Sequence, residues 1–172
     1  KVNREQAKDI TQIVLEIDNL MTPLKNTKVL YKGITHISKK TLDHNLPLIN
    51  KAYSSTTSDY YTAASFAETP HQDFRIVLKI SIPPGIKAYD FKDTGDESEV
   101  LIERNTVLSN FTFDSYDKKN NVYIYDALLS KYDPQPLYFP KAKSKHLFYM
   151  SPSKKEEMKL FDVKNIFKKL KS

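Results

Sequence analysis

Apolar residues recur at helical spacing over the first twenty positions. Ile10, Ile13, Val14, Ile17, Leu20 and Met21 fall on one stripe, which predicts a helix over 3–21. Asn3 with Gln6 resembles a capping box, and Pro23 stops the helix. Beyond that point β-branched and aromatic runs dominate. They predict strands over 28–34, 51–57, 74–82, 86–91, 99–103, 106–113, 122–126 and 146–150. The clearest is Phe74-Arg-Ile-Val-Leu-Lys-Ile-Ser-Ile82, ended by Pro83-Pro84-Gly85. Between the second and third strands, Ser58 or Asp59 is placed to cap a short helix burying Ala63, Ala64, Phe66 and Ala67. Residues 92–98 read as a loop rich in Asp, Thr and Gly. Residues 127–145, with Pro134, Pro136 and Pro140, read as an ordered loop or short turns, and 153–170 fits either a strand or a helix. One helix followed by many strands is an α+β pattern, with antiparallel-rich strands and peripheral helices.

Composition narrows this picture. A chain of 172 residues with 40% apolar content, eleven tyrosines and nine phenylalanines can bury a substantial core, and we expect one domain over 1–172. No apolar run approaches 18 residues, so no membrane span is expected. With no cysteine there is no disulfide, thiolate zinc site or cysteine nucleophile. The four histidines, His36, His44, His71 and His146, show no metal-ligand spacing, so no metal is expected. No glycine-rich phosphate loop is present, which leaves out a Rossmann turn. Lys1 is neither an initiator Met nor the start of a leader, so the chain is expected to be a mature or trimmed piece of a longer protein. The net charge of +6 is concentrated at one end: ten lysines against three acids over 141–172. Such a segment suits a solvated face, and it permits but does not favour nucleic acid as a partner.

Three segments carry candidate chemistry. Gly95-Asp96-Glu97-Ser98-Glu99 precedes the apolar run Val100-Leu101-Ile102. In an extended strand Glu97 and Glu99 would share a face about 6–7 Å apart. Such a pair can hold a sugar, stabilise developing positive charge or take a proton, and it is also how a strand edge is charged against unwanted pairing. Ser55-Thr56-Thr57 is a hydroxyl cluster at a strand end, which equally suits a turn or cap. Tyr31-Lys32-Gly33 places one cation between an aromatic residue and a glycine on a strand.

The order basic strand, Ser-Thr-Thr, Glu-x-Glu resembles the arginine–serine–glutamate class of mono-ADP-ribosyltransferases, a group including bacterial toxins and effectors and phage enzymes. Tyr31-Lys32-Gly33 is similar to the family's aromatic-Arg-Gly motif, Ser55-Thr56-Thr57 to its Ser-Thr-Ser motif and Glu97-Ser98-Glu99 to its Gln/Glu-x-Glu motif. The resemblance covers residues 29–113. It implies an ADP-ribosyltransferase-like fold, with two packed, mainly antiparallel sheets forming a cleft for NAD, an N-terminal helix and short peripheral helices. It also implies that NAD is the co-substrate, held by Tyr31, Lys32, Gly33, Ser55, Thr56, Thr57 and Glu99.

In the chemistry the resemblance implies, loss of nicotinamide leaves positive charge on the ribose, as in glycoside hydrolysis. Glu99 would stabilise that charge, Ser55 would fix the Glu99 rotamer, Lys32 would neutralise the pyrophosphate and Glu97 would face the acceptor. Glu rather than Gln at the Glu97 position goes with an arginine acceptor on a protein. The implied enzyme is a toxin or effector, secreted or delivered into a target cell and acting in its cytosol. The departure is Lys32, where the family has Arg: the charge is kept and the bidentate fork is lost. Arg75 and Arg104 are the later arginines available to compensate, and nothing in the sequence places them. The same departure keeps two alternatives open: an NAD glycohydrolase, and a catalytically weak NAD-binding module.

Overall fold

The computed structural model describes residues 4–35, 37–68, 74–94 and 98–132. Asn3, the three prolines of 134–140, the predicted strand 146–150, the segment 153–170 and the lysine-rich end lie outside the described residues.

The first helix, α1, spans Arg4–Leu20. Only its later turns are covered. Ile17 and Met21 are buried against Phe91 and Leu101, while Ile10 and Leu20 of the same stripe are exposed. After the short β1 (Thr22–Pro23) come β2 (Lys28–Ile34), α2 (Lys39–Asp43), β3 (Leu48–Asn50) and β4 (Ser54–Thr57). Asp59 rather than Ser58 caps α3 (Tyr60–Phe66), accepting from the backbone amides of Tyr61 and Thr62. Then follow β5 (Arg75–Ile82), β6 (Lys87–Asp90), a 3-10 turn (Phe91–Thr94), β7 (Glu99–Ile102), β8 (Thr106–Asp117) and β9 (Val122–Lys131). Gly85, with φ of 90°, makes the turn expected after Pro83-Pro84. No helix among the described residues is long and apolar enough to cross a membrane.

Several boundaries differ from the sequence reading. Residues 127–131, read as loop, continue β9, and β8 runs on to Asp117. Residues 51–53 are not strand, and α2 and β3 were not anticipated. Phe66, expected in the core, is 58% exposed, because α3 docks through its alanines and not through that side chain.

The nine strands form one hydrogen-bonded ladder in the order β1-β6-β7-β4-β2-β5-β9-β8-β3. Among the described strands only β5–β9 pairs in parallel. The expected two sheets are the two halves of this ladder. They join at β2–β4, where the register holds one pair, Tyr31 with Thr57, against seven between β2 and β5. Both halves bury side chains in one apolar core. Leu30, Ile76, Leu78, Ile80 and Tyr125 come from one half, and Ala88, Val100 and Ile102 from the other. Fully burying an aliphatic side chain of this size is worth about 1.5–3 kcal/mol, so this core holds the halves together across a junction poor in hydrogen bonds. The space between the halves is therefore filled with apolar groups. Polar residues gather instead at the seam.

Gly33 sets the position of α3. A Cβ built there would lie 2.1 Å from the Ala63 carbonyl oxygen and 2.7 Å from the Ala67 amide nitrogen. The helix backbone occupies the place of a side chain, and Ala63, Ala64 and Ala67 close the contact with Val77 and Val122.

Candidate active site

Residues directly opposite on antiparallel strands share a face. Thr57 is opposite both Tyr31 and Glu99, and Ser55 is opposite Leu101. Tyr31, Ser55, Thr57, Glu99 and Leu101 therefore lie on one face of the ladder. Thr56, Val100 and Ile102 lie on the other, toward the core. Thr56 is buried, and its hydroxyl donates to the Val100 carbonyl at 2.7 Å, which satisfies the polar group where water does not reach. On the outer face α1 covers Leu101 and α3 covers Gly33. Ser55 and Glu99 are between them, the first exposed and the second half-buried.

The Ser55 hydroxyl donates to Glu99 Oε1 at 2.8 Å. Oε2 of Glu99 has no hydrogen-bond partner among the described residues. The Thr57 hydroxyl oxygen accepts from the Asp59 amide at 3.0 Å, and the Ser58 amide donates to the Ser98 carbonyl at 3.0 Å. These bonds tie the end of β4 to the start of α3 and to the entry of β7.

Lys32 approaches from the core face of β2, which it shares with Leu30 and Ile34. Beyond the Tyr31–Thr57 pair the strands part, and Lys32 Nζ donates to the Ser55 carbonyl at 3.1 Å. Ser55 thus meets the ammonium through its backbone and the carboxylate through its side chain. Tyr31-Lys32-Gly33 does not act as one patch: Lys32 turns to the seam, while Tyr31 and Gly33 face α3. Tyr31 packs edge-on against Tyr60, ring centroids 5.9 Å apart. Glu97, and with it the expected side-by-side placement with Glu99, lies outside the described residues; β7 spans Glu99–Ile102. Neither later arginine joins Lys32. Arg75 pairs with Glu68 at 2.8 Å, and Arg104 pairs with Asp18 at 2.7 Å.

Arg104 belongs to a second polar cluster. Asp18 on α1 accepts from Tyr53 through Oδ1 and from Arg104 through Oδ2, and Tyr53 also donates to the Val14 carbonyl at 3.0 Å. Burial raises the Asp18 carboxyl, but the hydrogen bonds from Arg104 and Tyr53 outweigh it and hold the group below its usual range. Burial, then the Asp18 bond, push the Tyr53 hydroxyl well above its ordinary value.

Sequence reasoning missed Tyr60 and its surroundings. The Tyr60 hydroxyl donates to Asp117 Oδ2 at 2.8 Å. Bonds from Asn120 and then Tyr60 lower the Asp117 carboxyl, so it stays ionised. Tyr31, Tyr60, Lys79, Asp114, Asp117 and Ile124 line an open groove on the outer face of the ladder. Nothing in the sequence joins residues spread over five elements, four of them strands.

No protein-family model matches the chain, and no curated protein matches it by sequence. Solved structures do match. Vis toxin, an ADP-ribosyltransferase from Vibrio splendidus, is 20% identical at a TM-score of 0.51, over 74% of this chain and 59% of that one. Plx2a, an ADP-ribosyltransferase toxin from Paenibacillus larvae, is 15% identical at 0.53, over 75% of this chain and 73% of that one. C3stau2 from S. aureus, solved with NAD, is 18% identical at 0.50, with coverage of 75% and 73%. The chain spans about three fifths of the Vis toxin's length. It has the fold of the ADP-ribosyltransferase toxins, as the motif resemblance implied.

Proposed function

Starting from that fold, we propose that the chain transfers ADP-ribose from NAD to an arginine side chain of a protein acceptor and releases nicotinamide. The observation that carries the reading is the Ser55–Glu99 hydrogen bond on the open face beside the seam. A hydroxyl that occupies one carboxylate oxygen fixes the rotamer and leaves the other oxygen for a ligand. NAD supplies a ribose whose bond to nicotinamide weakens as positive charge grows at the anomeric carbon. Glu99 stabilises that charge and orients the ribose by accepting from its 2′-hydroxyl. The electron pair of the breaking bond leaves with nicotinamide. A guanidinium nitrogen of the acceptor then bonds to the anomeric carbon, and its proton passes to Glu97. Lys32 meets pyrophosphate charge as a single ammonium at the seam, while Tyr31 and Thr57 continue the outer face beside Glu99, and Thr56 and Gly33 support the site by holding β7 and α3 in place.

The arginine acceptor rests on Glu at position 97, by the resemblance, and is supported by the Vis enzyme, which was solved with agmatine, a small guanidinium compound. A toxin or effector, secreted or delivered to act inside another cell, is the setting this reading implies.

The test is incubation with NAD labelled in its adenylate half, with agmatine and with bacterial and eukaryotic lysates in parallel. Nicotinamide release with label on agmatine or a protein band is expected. Release without any labelled acceptor would make the chain a glycohydrolase, and no release would overturn the reading. Glu97→Gln should impair transfer more than hydrolysis; equal loss of both removes the acceptor assignment.

A further inference from the structure

The groove beside the candidate site has a charge and shape that suit a cation. Across the ladder, directly opposite residues form one row on the outer face: Glu99, Thr57, Tyr31, Lys79, Asp126. Tyr31 therefore belongs both to the neighbourhood of Glu99 and to the groove, so the two are continuous. Strands lie about 4.8 Å apart, which puts Tyr31 about 10 Å from Glu99 along this row. Tyr31 and Tyr60 form aromatic walls at that end. Asp114 and Asp117 stand at the far end on β8. Lys79 is the one cation among the lining residues, and Asp126 sits 3.8 Å from its ammonium. Three carboxylates around one ammonium repel the pyrophosphate of NAD and attract guanidinium or ammonium groups, which aromatic faces also hold.

We propose that this groove docks a basic stretch of the acceptor protein, so that a second lysine or arginine near the modified arginine selects the substrate. The inference rests on the arginine-transfer reading above. An extended peptide advances about 3.3 Å per residue, so about three residues lead from Glu99 to Tyr31 and about four more reach β8. Favoured acceptors therefore carry a second cation about three to seven positions from the modified arginine.

Two synthetic peptides test this. Each carries a single arginine in an otherwise neutral sequence, with either lysine or glutamate about five positions away. Wild type is compared with Asp114→Lys, because among the described residues the exposed Asp114 carboxylate accepts a hydrogen bond only from its neighbour Ser115, at 2.9 Å. Wild type should modify the lysine peptide with about fivefold higher kcat/KM than the glutamate peptide, and the preference should shrink as salt is raised. Asp114→Lys should erase the preference while modification of agmatine and acceptor-free nicotinamide release stay within about twofold. Equal use of the two peptides by wild type overturns the proposal, as does an equal loss on agmatine and on the lysine peptide. If wild type releases no nicotinamide, the function reading fails by itself. The groove is then judged by calorimetric titration of the lysine peptide into NAD-free protein. Binding that Asp114→Lys abolishes sustains the docking site, and absence of binding ends it.

Discussion

Two clusters in this molecule are built from the same kinds of group, a carboxylate, a hydroxyl and a cation, yet they are wired differently. In Asp18–Tyr53–Arg104 the carboxylate spends both oxygens on protein donors, and the guanidinium pairs directly with it. In Glu99–Ser55–Lys32 the carboxylate accepts one bond from Ser55, and the ammonium goes to a backbone carbonyl. The first is closed and joins α1 to the strands around Tyr53 and Arg104. The second is held in shape by one bond, and its other oxygen has no partner among the described residues. The difference teaches what sets the carboxylate proposed as reactive apart from a structural ion pair: the unspent acceptors on the carboxylate, not the charges around it.

That contrast can be broken from either side. The largest effect is expected from Glu99→Gln, which keeps the shape and removes the charge. Nicotinamide release should fall by about 10²–10³-fold, with a melting temperature within roughly 1 °C of wild type. A variant that cleaves NAD at wild-type rate would place Glu99 with Asp18 as a structural group. Ser55→Ala should come next. Freed from its prop, the carboxylate is expected to lose roughly tenfold in kcat while KM for NAD moves less than about twofold. A rise in KM at constant kcat would instead give Ser55 a direct role in holding NAD.

Asp18→Asn should do the reverse. It leaves the Arg104 guanidinium without its anionic partner at a site about a third exposed, so the cost should be ~1 kcal/mol, a fall in Tm of about 2–4 °C, read by thermal denaturation. NAD cleavage at 25 °C should barely change. The smallest effect is its pH dependence. Asp18 titrates lower in the folded state than its ordinary 3.8. Its contribution is therefore present above that value and fades as pH falls through the lower, folded one. The stability gap between wild type and Asp18→Asn, from urea midpoints, should be full at neutral pH and close below about pH 4. A gap that stays constant in acid would mean that the carboxylate charge is not what holds α1.

The sequence made the regular parts of this arrangement readable. The alternation in β5 buries Ile76, Leu78, Ile80 and Ile82 on one side, and a strand with that pattern has little else it can become. The Ser55–Glu99 contact was also readable, because the motif order pairs the hydroxyl cluster with the second glutamate, although β4 itself, Ser-Ser-Thr-Thr, is polar throughout. What escaped was anything fixed by partners distant in sequence. The last third of β8, Asp114-Ser-Tyr-Asp117, is polar, with all but the half-buried Asp117 exposed, so no apolar period announces it as a strand. The parallel pairing of β5 with β9 has no local signature. The role of Lys32 depends on β2 and β4 separating after one pair, which composition cannot foretell. The two later arginines, which the sequence could not place, pair with Glu68 and Asp18, residues that no spacing rule links to them.

The missing side chain at position 33 has a consequence for how this chain tolerates change. In a saturation library screened only for soluble, folded protein, with no demand for turnover, position 33 should return glycine almost alone, since any larger residue meets a helix carbonyl. Its neighbour Lys32 should drift freely in that screen and narrow only when catalysis is selected. Adjacent letters of a single short motif would then be seen to answer to separate pressures, one architectural and one chemical.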